Sequence, residues 1–477
     1  MYRLPFAVSA AALAFVQVAV AADLPRKAPA YVPPPVYNWT GFYVGVNAGG
    51  SIGRDPTTIT QSGLGPGSFI SSNTMSPAGF IGGGQLGYNY QFAPNWVAGV
   101  EGDFQGASQK DSSCFRDCAG DIFFGPTVTV NQKLEWFATA RARLGYTNGD
   151  WLWYVTGGGA WAKVHNDLAI SGIFFGSANF DQSGWVVGGG VETHLGGNWT
   201  AKLEYLYMDL GSLHDLATSV PPLLTASQTS DIRDHIVRVG LNYKVFGAAP
   251  NANGMSPVAY KTPQAPGVWS WTGFYIGANA GGSIGRNPTT QTNDSLNSTF
   301  ASFTLSPAGF VGGGQIGYNY QFLPNLVVGL EGDIQGTSQR DSSCIGAGCT
   351  NFGSFYFTIE QKLKWFATAR ARLGYSSGDW LWYVTGGGAW GEVHNDFRTF
   401  TPFDVAFAAN FNRSGWTVGG GVETHLADRW TAKLEYLYLD LGSFVDGGLD
   451  PLSAFNFSSK SDVRDHIVRV GLNYKIY

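Results

Sequence analysis

Apolar and polar residues alternate with period two over long stretches of this chain. From Trp199 to Leu210, one face reads Trp199, Ala201, Leu203, Tyr205, Tyr207 and the other Thr200, Lys202, Glu204, Leu206, Met208, Leu210. From Arg233 to Phe246, Val237, Val239, Leu241, Tyr243 and Val245 alternate with Arg238, Gly240, Asn242 and Lys244. From Lys133 to Tyr146, Leu134, Trp136, Ala138, Ala140, Ala142 and Leu144 alternate with Lys133, Glu135, Arg141 and Arg143. A helix would repeat every 3.6 residues, so these segments are strands. At roughly 10–14 residues they exceed the usual globular strand and suit a tilted bilayer crossing.

The same reading predicts about eight strands near 40–52, 78–92, 96–109, 131–146, 151–165, 183–196, 199–211 and 233–246. The strand from Trp151 to His165 is apolar on both faces, which leaves its phase open. Short turns (Ala93-Pro94-Asn95, Asn148-Gly149-Asp150, Gly196-Gly197-Asn198) alternate with long polar segments (Arg54–Ser76, Lys110–Val130, Asn166–Gln182, Ser212–Ile232). That alternation predicts an up-and-down sheet with tight turns at one end and long loops at the other.

Everything then recurs. NWTGFYVGVNAGGSIGR at Asn38–Arg54 returns as SWTGFYIGANAGGSIGR at Ser270–Arg286, and RDHIVRVGLNYK at Arg233–Lys244 returns at Arg464–Lys475. The repeat is domain-sized, so the expected organisation is a secretory signal at 1–21, a Pro/Ala-rich lead-in at 22–38, a first β-barrel at 39–246, a linker at 247–268 and a second barrel at 269–477. Arg3, the apolar Phe6–Val20 run and Ala19-Val20-Ala21 form the signal pattern, with cleavage expected near Ala21 and Ala22. No other stretch is long and apolar enough for a spanning helix. Charged residues make up only 13% of the chain, about half the usual share, as suits a surface that meets lipid. The net charge of −5 and the lack of a basic stripe argue against nucleic acid.

Lipid cannot satisfy a free sheet edge, so the sheet must close into an all-β transmembrane antiparallel barrel. Its aromatic residues near strand ends, Trp39, Tyr90, Phe92, Trp96, Trp136, Trp151, Trp153, Trp185, Trp199 and Tyr243, are expected to form interfacial girdles. The opposite face carries the candidate site. In copy one it holds Glu101, Asp103, Lys133, Glu135, Arg141, Arg143, Glu192, Lys202, Glu204 and Arg238. In copy two it holds Glu331, Asp333, Lys362, Lys364, Arg370, Arg372, Glu423, Lys433, Glu435 and Arg469. In a narrow lumen these would form a compensated plug; re-pairing among them would instead give a narrow conductance. Because Glu135 becomes Lys364, the two networks are expected to differ. The cysteines fall into local pairs, Cys114/Cys118 and Cys344/Cys349, expected as one loop disulfide per copy in an oxidising compartment. No metal or cofactor set appears.

WTGFYVG, GGGQLGYNYQF, YVTGGGAW, VGGGVE, LEYLY and VRVGLNYK, in that order, resemble the small eight-stranded outer-membrane barrels of alphaproteobacteria. These form the outer-membrane immunogenic protein or porin-family group, related to the OmpA transmembrane domain and to opacity-type proteins. The resemblance covers nearly all of each copy. It implies a cell outer-membrane location and contact with outer-membrane lipid, lipopolysaccharide and the outer-membrane assembly machinery. It also implies surface loops that meet a host or surface ligand, and an envelope role without catalysis. A porin-like passive channel for small solutes is the alternative.

Two tandem eight-stranded barrels are the expected architecture, with one sixteen-stranded barrel as the alternative. Gly82-x-Gly84-x-x-Gly87 spells a dinucleotide-binding string, but it lies inside a strand with no helix after it, so it cannot cradle a phosphate. His165/His394, His194/His425 and His235/His466 recur. The first and third pairs fall at strand ends near the long loops, yet no nucleophile accompanies them.

Overall fold

The computed structural model describes residues 37–63, 69–115, 118, 127–170, 174–218, 224–246, 269–295, 298–346, 349, 356–400, 405–449 and 456–476. The expected signal, its cleavage point at Ala21 and Ala22, and the linker lie outside these residues. Among the described residues there are twenty-two strands. The first repeat supplies β1 (Gly41–Gly53), β2 (Asp55–Gly63), β3 (Phe69–Met75), β4 (Ala78–Ala93), β5 (Trp96–Ala107) and β6 (Lys110–Phe115), then β7 (Val128–Asn148), β8 (Trp151–Ile170), β9 (Phe174–Gly196), β10 (Trp199–Thr218) and β11 (Leu224–Phe246). The second supplies β12 (Gly273–Gly285), β13 (Asn287–Asn293), β14 (Ser298–Leu305), β15 (Ala308–Leu323), β16 (Leu326–Thr337) and β17 (Asp341–Gly346), then β18 (Tyr356–Ser377), β19 (Trp380–Phe400), β20 (Val405–Ala427), β21 (Trp430–Leu449) and β22 (Asn456–Lys475).

The first repeat closes an antiparallel ring in the order β1, β4, β5, β7, β8, β9, β10, β11 and back to β1. Val239 pairs with Ala48 of its own repeat. The second repeat closes the equivalent ring from β12 through β15, β16, β18, β19, β20 and β21 to β22. Gly158 and its neighbours no longer hide the phase of β8: Leu152, Tyr154 and Thr156 point inward, Trp153 and Val155 outward.

The long segments differ from expectation, because most of their described length is strand. β2, β3 and β6, and the outer thirds of β7 to β11, continue the wall past the membrane-level ring. Thr- and Ser-rich runs such as Asp55-Pro56-Thr57-Thr58-Ile59-Thr60 keep the alternating buried pattern, and β-branched residues favour the pleated sheet. A 13-residue strand such as β1 tilted by about 40° rises roughly 33 Å, enough to cross the apolar layer. The 20 residues of β8 therefore stand well beyond it.

At this outer level the two rings merge. β3 does not pair with β6 of its own repeat. Instead Ser71 and Ser72 pair with Ile345 and Cys344 of β17, while Phe115 and Cys114 of β6 pair with Ala301 and Ser302 of β14. With β2 on β11 and β13 on β22, the outer wall becomes two sheets of eight strands, each drawn from both repeats. Among the described residues the β9–β10 ladder ends at Trp185 and Asp209 and the β20–β21 ladder at Trp416 and Asp440, so these two seams stay unpaired above that level. The eight-stranded rings therefore hold at membrane level, while above it the repeats share strands across two sheets without closing a sixteen-stranded ring. A shared apolar core fills the joined region: Ile59, Met75, Phe115 and Leu168 pack with Phe303, Leu305, Ile359 and Phe397.

Candidate functional site

Below the joined region each lumen is layered. At the short-turn end of copy one, Trp39, Val97, Leu152 and Tyr154 form an apolar floor, with Tyr37 packed beneath. Trp39 is thus no girdle residue. The chain before β1 folds under the ring, where the Trp39 backbone N–H donates to Gln91 Oε1 at 3.1 Å. Trp271, Val327, Leu381 and Tyr383 repeat the floor in copy two.

Directly above lies the ion layer. Period-two alternation places Glu101, Asp103, Arg141, Arg143, Glu192, Lys202, Glu204 and Arg238 on one inward face of neighbouring strands, and all are buried. Arg141 donates to Asp103 at 2.8 Å and Glu204 at 2.9 Å, and also pairs with Glu101. Lys202 meets Glu101 at 2.7 Å, Arg238 meets Glu204 at 2.6 Å and Asp103 at 3.0 Å, and Arg143 meets Glu192 at 2.6 Å. Tyr43 and Tyr154 donate their hydroxyls to Glu101 and Glu204. The Arg143 guanidinium lies 4.0 Å from the Tyr154 ring centroid. Four carboxylates face four cations, so the layer carries no net charge, and each buried ion has an opposite partner. Isolated ions in such a place would each cost several kcal/mol.

Copy two reproduces the layer residue for residue. Arg370 pairs with Glu331, Asp333 and Glu435, Arg372 with Glu423, Lys433 with Glu331, and Arg469 with Asp333 and Glu435. The expectation that the two networks differ is therefore corrected, and so is the membership of four residues. Lys133, Glu135, Lys362 and Lys364 lie outside the lumens. Lys133 sits near Glu135 at 4.0 Å, Lys362 pairs with Glu360 at 2.7 Å, and Lys364 pairs with Glu392 at 3.0 Å. A β-bulge between Leu134 and Trp136, repeated between Leu363 and Trp365, is the cause. One extra residue reverses the phase of everything beyond it.

The glycine string belongs to this layer as well. Gly82 and Gly84 face outward, whereas a Cβ on inward Gly87 would overlap the Tyr43 phenol. Gly87 thus makes room for the hydroxyl that reaches Glu101. Above the ions, Ile81, Phe137, Val186, Leu206, Met208 and Ile236 form an apolar layer that completes the filling.

The histidines do not converge. His165 stands on the outer face beside Asp167 at 3.2 Å, and His235 contacts the outward Tyr205 at 2.8 Å. His194 stacks on Tyr37 at the short-turn end. Both His165 and His235 thus lie on the outside of the wall, apart from the lumen charges. Among the described residues no set of three His, Cys, Asp or Glu is arranged to hold a metal ion.

The cysteines mark the junction. Cys114 is bonded to Cys118 and Cys344 to Cys349, each pair with Cα atoms 5.9 Å apart. Cys114 and Cys344 lie on the short ladders that cross between repeats, and the Cys118 N–H donates to the Thr299 carbonyl at 2.8 Å. Sequence reasoning missed this junction. Its polar frame is reciprocal: Arg54 donates to the Ser306 carbonyl and lies 3.6 Å from Asp341, while Arg286 donates to the Ser76 carbonyl and reaches Asp111 at 3.1 Å.

Known proteins resemble this chain over the length of one repeat. The chain is 37% identical over 240 residues to the 31 kDa outer-membrane immunogenic protein of Brucella melitensis biotype 1, covering 48% of this chain and 95% of the relative. It is 30% identical over 245 residues to the 25 kDa outer-membrane immunogenic protein of Brucella abortus biovar 1, covering 50% and 95%. It is 32% identical over 219 residues to the 22 kDa outer membrane protein of Rhizobium leguminosarum bv. viciae, covering 46% and 83%. The family described as outer membrane protein beta-barrel domain matches residues 8–244 and again 257–475. With a strand-built wall, lipid-suited outer faces and these relatives, the chain is an outer-membrane protein that belongs to the outer membrane protein beta-barrel domain family and carries that domain twice.

Proposed function

We propose that the chain is a non-catalytic structural protein of the outer membrane. Its short turns face the periplasm, and its joined outer wall is a raised surface for adhesion or ligand contact. The observation that carries this reading is the filled lumen. An apolar floor, a balanced ion layer and an apolar layer lie in series in each barrel, with no water-filled path implied by their packing. The repeats keep these interior layers and diverge most in the outer hairpins, where copy-two Phe300, Phe407 and Phe457 stand against Ile70, Gly176 and Ala226 of copy one. A contact surface is free to diverge in this way; a sealed interior is not.

Planar-bilayer recording of the refolded full chain tests the reading. The expected trace is flat at moderate voltage. Steady, large openings would overturn it in favour of a passive channel for small solutes.

A further inference from the structure

Two lysines of the first repeat stand directly opposite each other on neighbouring strands, Lys110 of β6 and Lys133 of β7. Both are exposed on the outer face. The ionic neighbour of Lys133 is Glu135 at 4.0 Å, and Lys110 forms no ion pair among the described residues. Like charges in directly opposed strand positions repel and destabilise the sheet. The second repeat has nonetheless kept the arrangement: Arg340 precedes Asp341, which faces Gln361, so Arg340 lies beside Lys362.

Immediately beyond the lysines, Ser112 faces Asn131, adding two exposed neutral donors. In copy two the same position pairs Ser342 with Glu360, and Glu360 takes Lys362 for itself at 2.7 Å. The first repeat therefore presents an open set of donors, and the second a set already partly neutralised.

The height of the set identifies its partner. Lys110 pairs with Ala78, and Phe80, two residues nearer the membrane, is 82% exposed on the outer face. Phe104 stacks on Trp136, ring centroids 5.4 Å apart, further down the same outward wall. Two residues along a strand tilted by about 40° put Lys110 about 5 Å beyond Phe80, the uppermost of these outward aromatics. Lipid phosphates lie at that depth, and long cationic side chains extend toward them.

We propose that Lys110 and Lys133, assisted by Ser112 and Asn131, bind the phosphate of an anionic outer-leaflet lipid whose acyl chains lie on Phe80, Phe104 and Trp136. This rests on the reading that the long-hairpin end faces outward. The lipid supplies the negative charge that the opposed lysines lack.

The test uses the full chain in phosphatidylcholine vesicles doped with phosphatidic acid, with retained lipid counted by native mass spectrometry. Lys110→Gln with Lys133→Gln is expected to lower retention roughly tenfold, whereas Arg340→Gln with Lys362→Gln changes it far less. Equal retention by the first variant and the unaltered chain would overturn the site. Complete displacement of the lipid by millimolar inorganic phosphate would also overturn it, by showing a free-anion site. Surface proteolysis of intact cells separates the two readings. Cleavage of the outer hairpins only after the outer membrane is breached would remove the orientation itself. Cleavage from outside with unchanged lipid retention would remove the lipid site alone.

Discussion

Trp151 stacks on Trp380, its own counterpart in the other repeat, with ring centroids 4.4 Å apart. A residue that packs on its own equivalent lies on a pseudo-twofold axis. Arg54 and Arg286, with their crossed bonds to Ser306 and Ser76, obey the same axis at the opposite end of the molecule. The interface has the self-complementary form of a symmetric dimer, built within one chain.

That geometry makes a covalent prediction. Ser71 and Ile345 belong to different repeats yet are directly paired, and opposed Cβ atoms lie close enough for a disulfide. Ser71→Cys with Ile345→Cys is expected to bridge the repeats, as located by peptide mass mapping. After proteolytic cutting between 247 and 268, the two halves should then migrate together without reductant and apart with it. Halves that separate without reductant would mean that the outer walls do not cross.

The ion layer makes a second prediction. Arg141→Ala leaves Glu101, Asp103 and Glu204 short of a buried cation, so it is expected to cost about 3–5 kcal/mol in urea unfolding from detergent micelles. Arg370→Ala should cost about as much, because its network is the same. Lys133→Ala, on the outer face, should stay within about 0.5 kcal/mol. A large loss from Lys133→Ala would restore it to the lumen.

Asp55 offers a pH test. Burial, with the Asp234 and Asp111 carboxyls adding to it, pushes Asp55 well above the usual carboxylate range. Its raised folded value means the folded state holds the proton more tightly. Its contribution is thus fully present below the ordinary value of 3.8 and is lost as pH rises through the folded value. The second repeat has Asn287 here, which accepts from the Arg464 N–H at 2.9 Å and donates to Gln361 Oε1. In the first repeat the equivalent Gln132 has both amide atoms buried without a protein partner. Asp55→Asn is therefore expected to raise the urea midpoint at pH 7 and to lose that advantage in acid. A lower midpoint at pH 7 would show that the carboxylate is needed.

Gly87→Ala isolates the fourth point. Its methyl group would push the Tyr43 phenol away from Glu101, so a loss of about 1–3 kcal/mol is expected. Adding Tyr43→Phe should then cost little more, because the two changes act on one contact. Full additivity in that double variant would separate the glycine from the hydroxyl.

The membrane-level rings were legible because alternation is a local signal. Lys202 and Glu204 face one way and Trp199 and Leu203 the other, whatever their neighbours do. Lys133 defeated the same logic, because a bulge at Glu135 leaves no mark in a period-two pattern. The repeat itself held the clue. Where copy one has Glu135 and Lys163, copy two has Lys364 and Glu392, a reversed pair joined at 3.0 Å on the outer face. The crossing of β3 to β17 was not legible, since nothing in Ser71-Ser72 distinguishes Cys344 from Cys114 as the strand next door. That choice is made by packing, through the apolar core in which Phe115 meets Phe303.

The crossed outer ladders also change what the duplication means. Each repeat, taken alone, has a slot in its outer wall, between β3 and β6 in the first and between β14 and β17 in the second, with backbone groups on both sides left for a neighbour. Only the other repeat fills it. The second copy is thus the missing panel of the first, and neither could be deleted in evolution without reopening a seam in the one that remained.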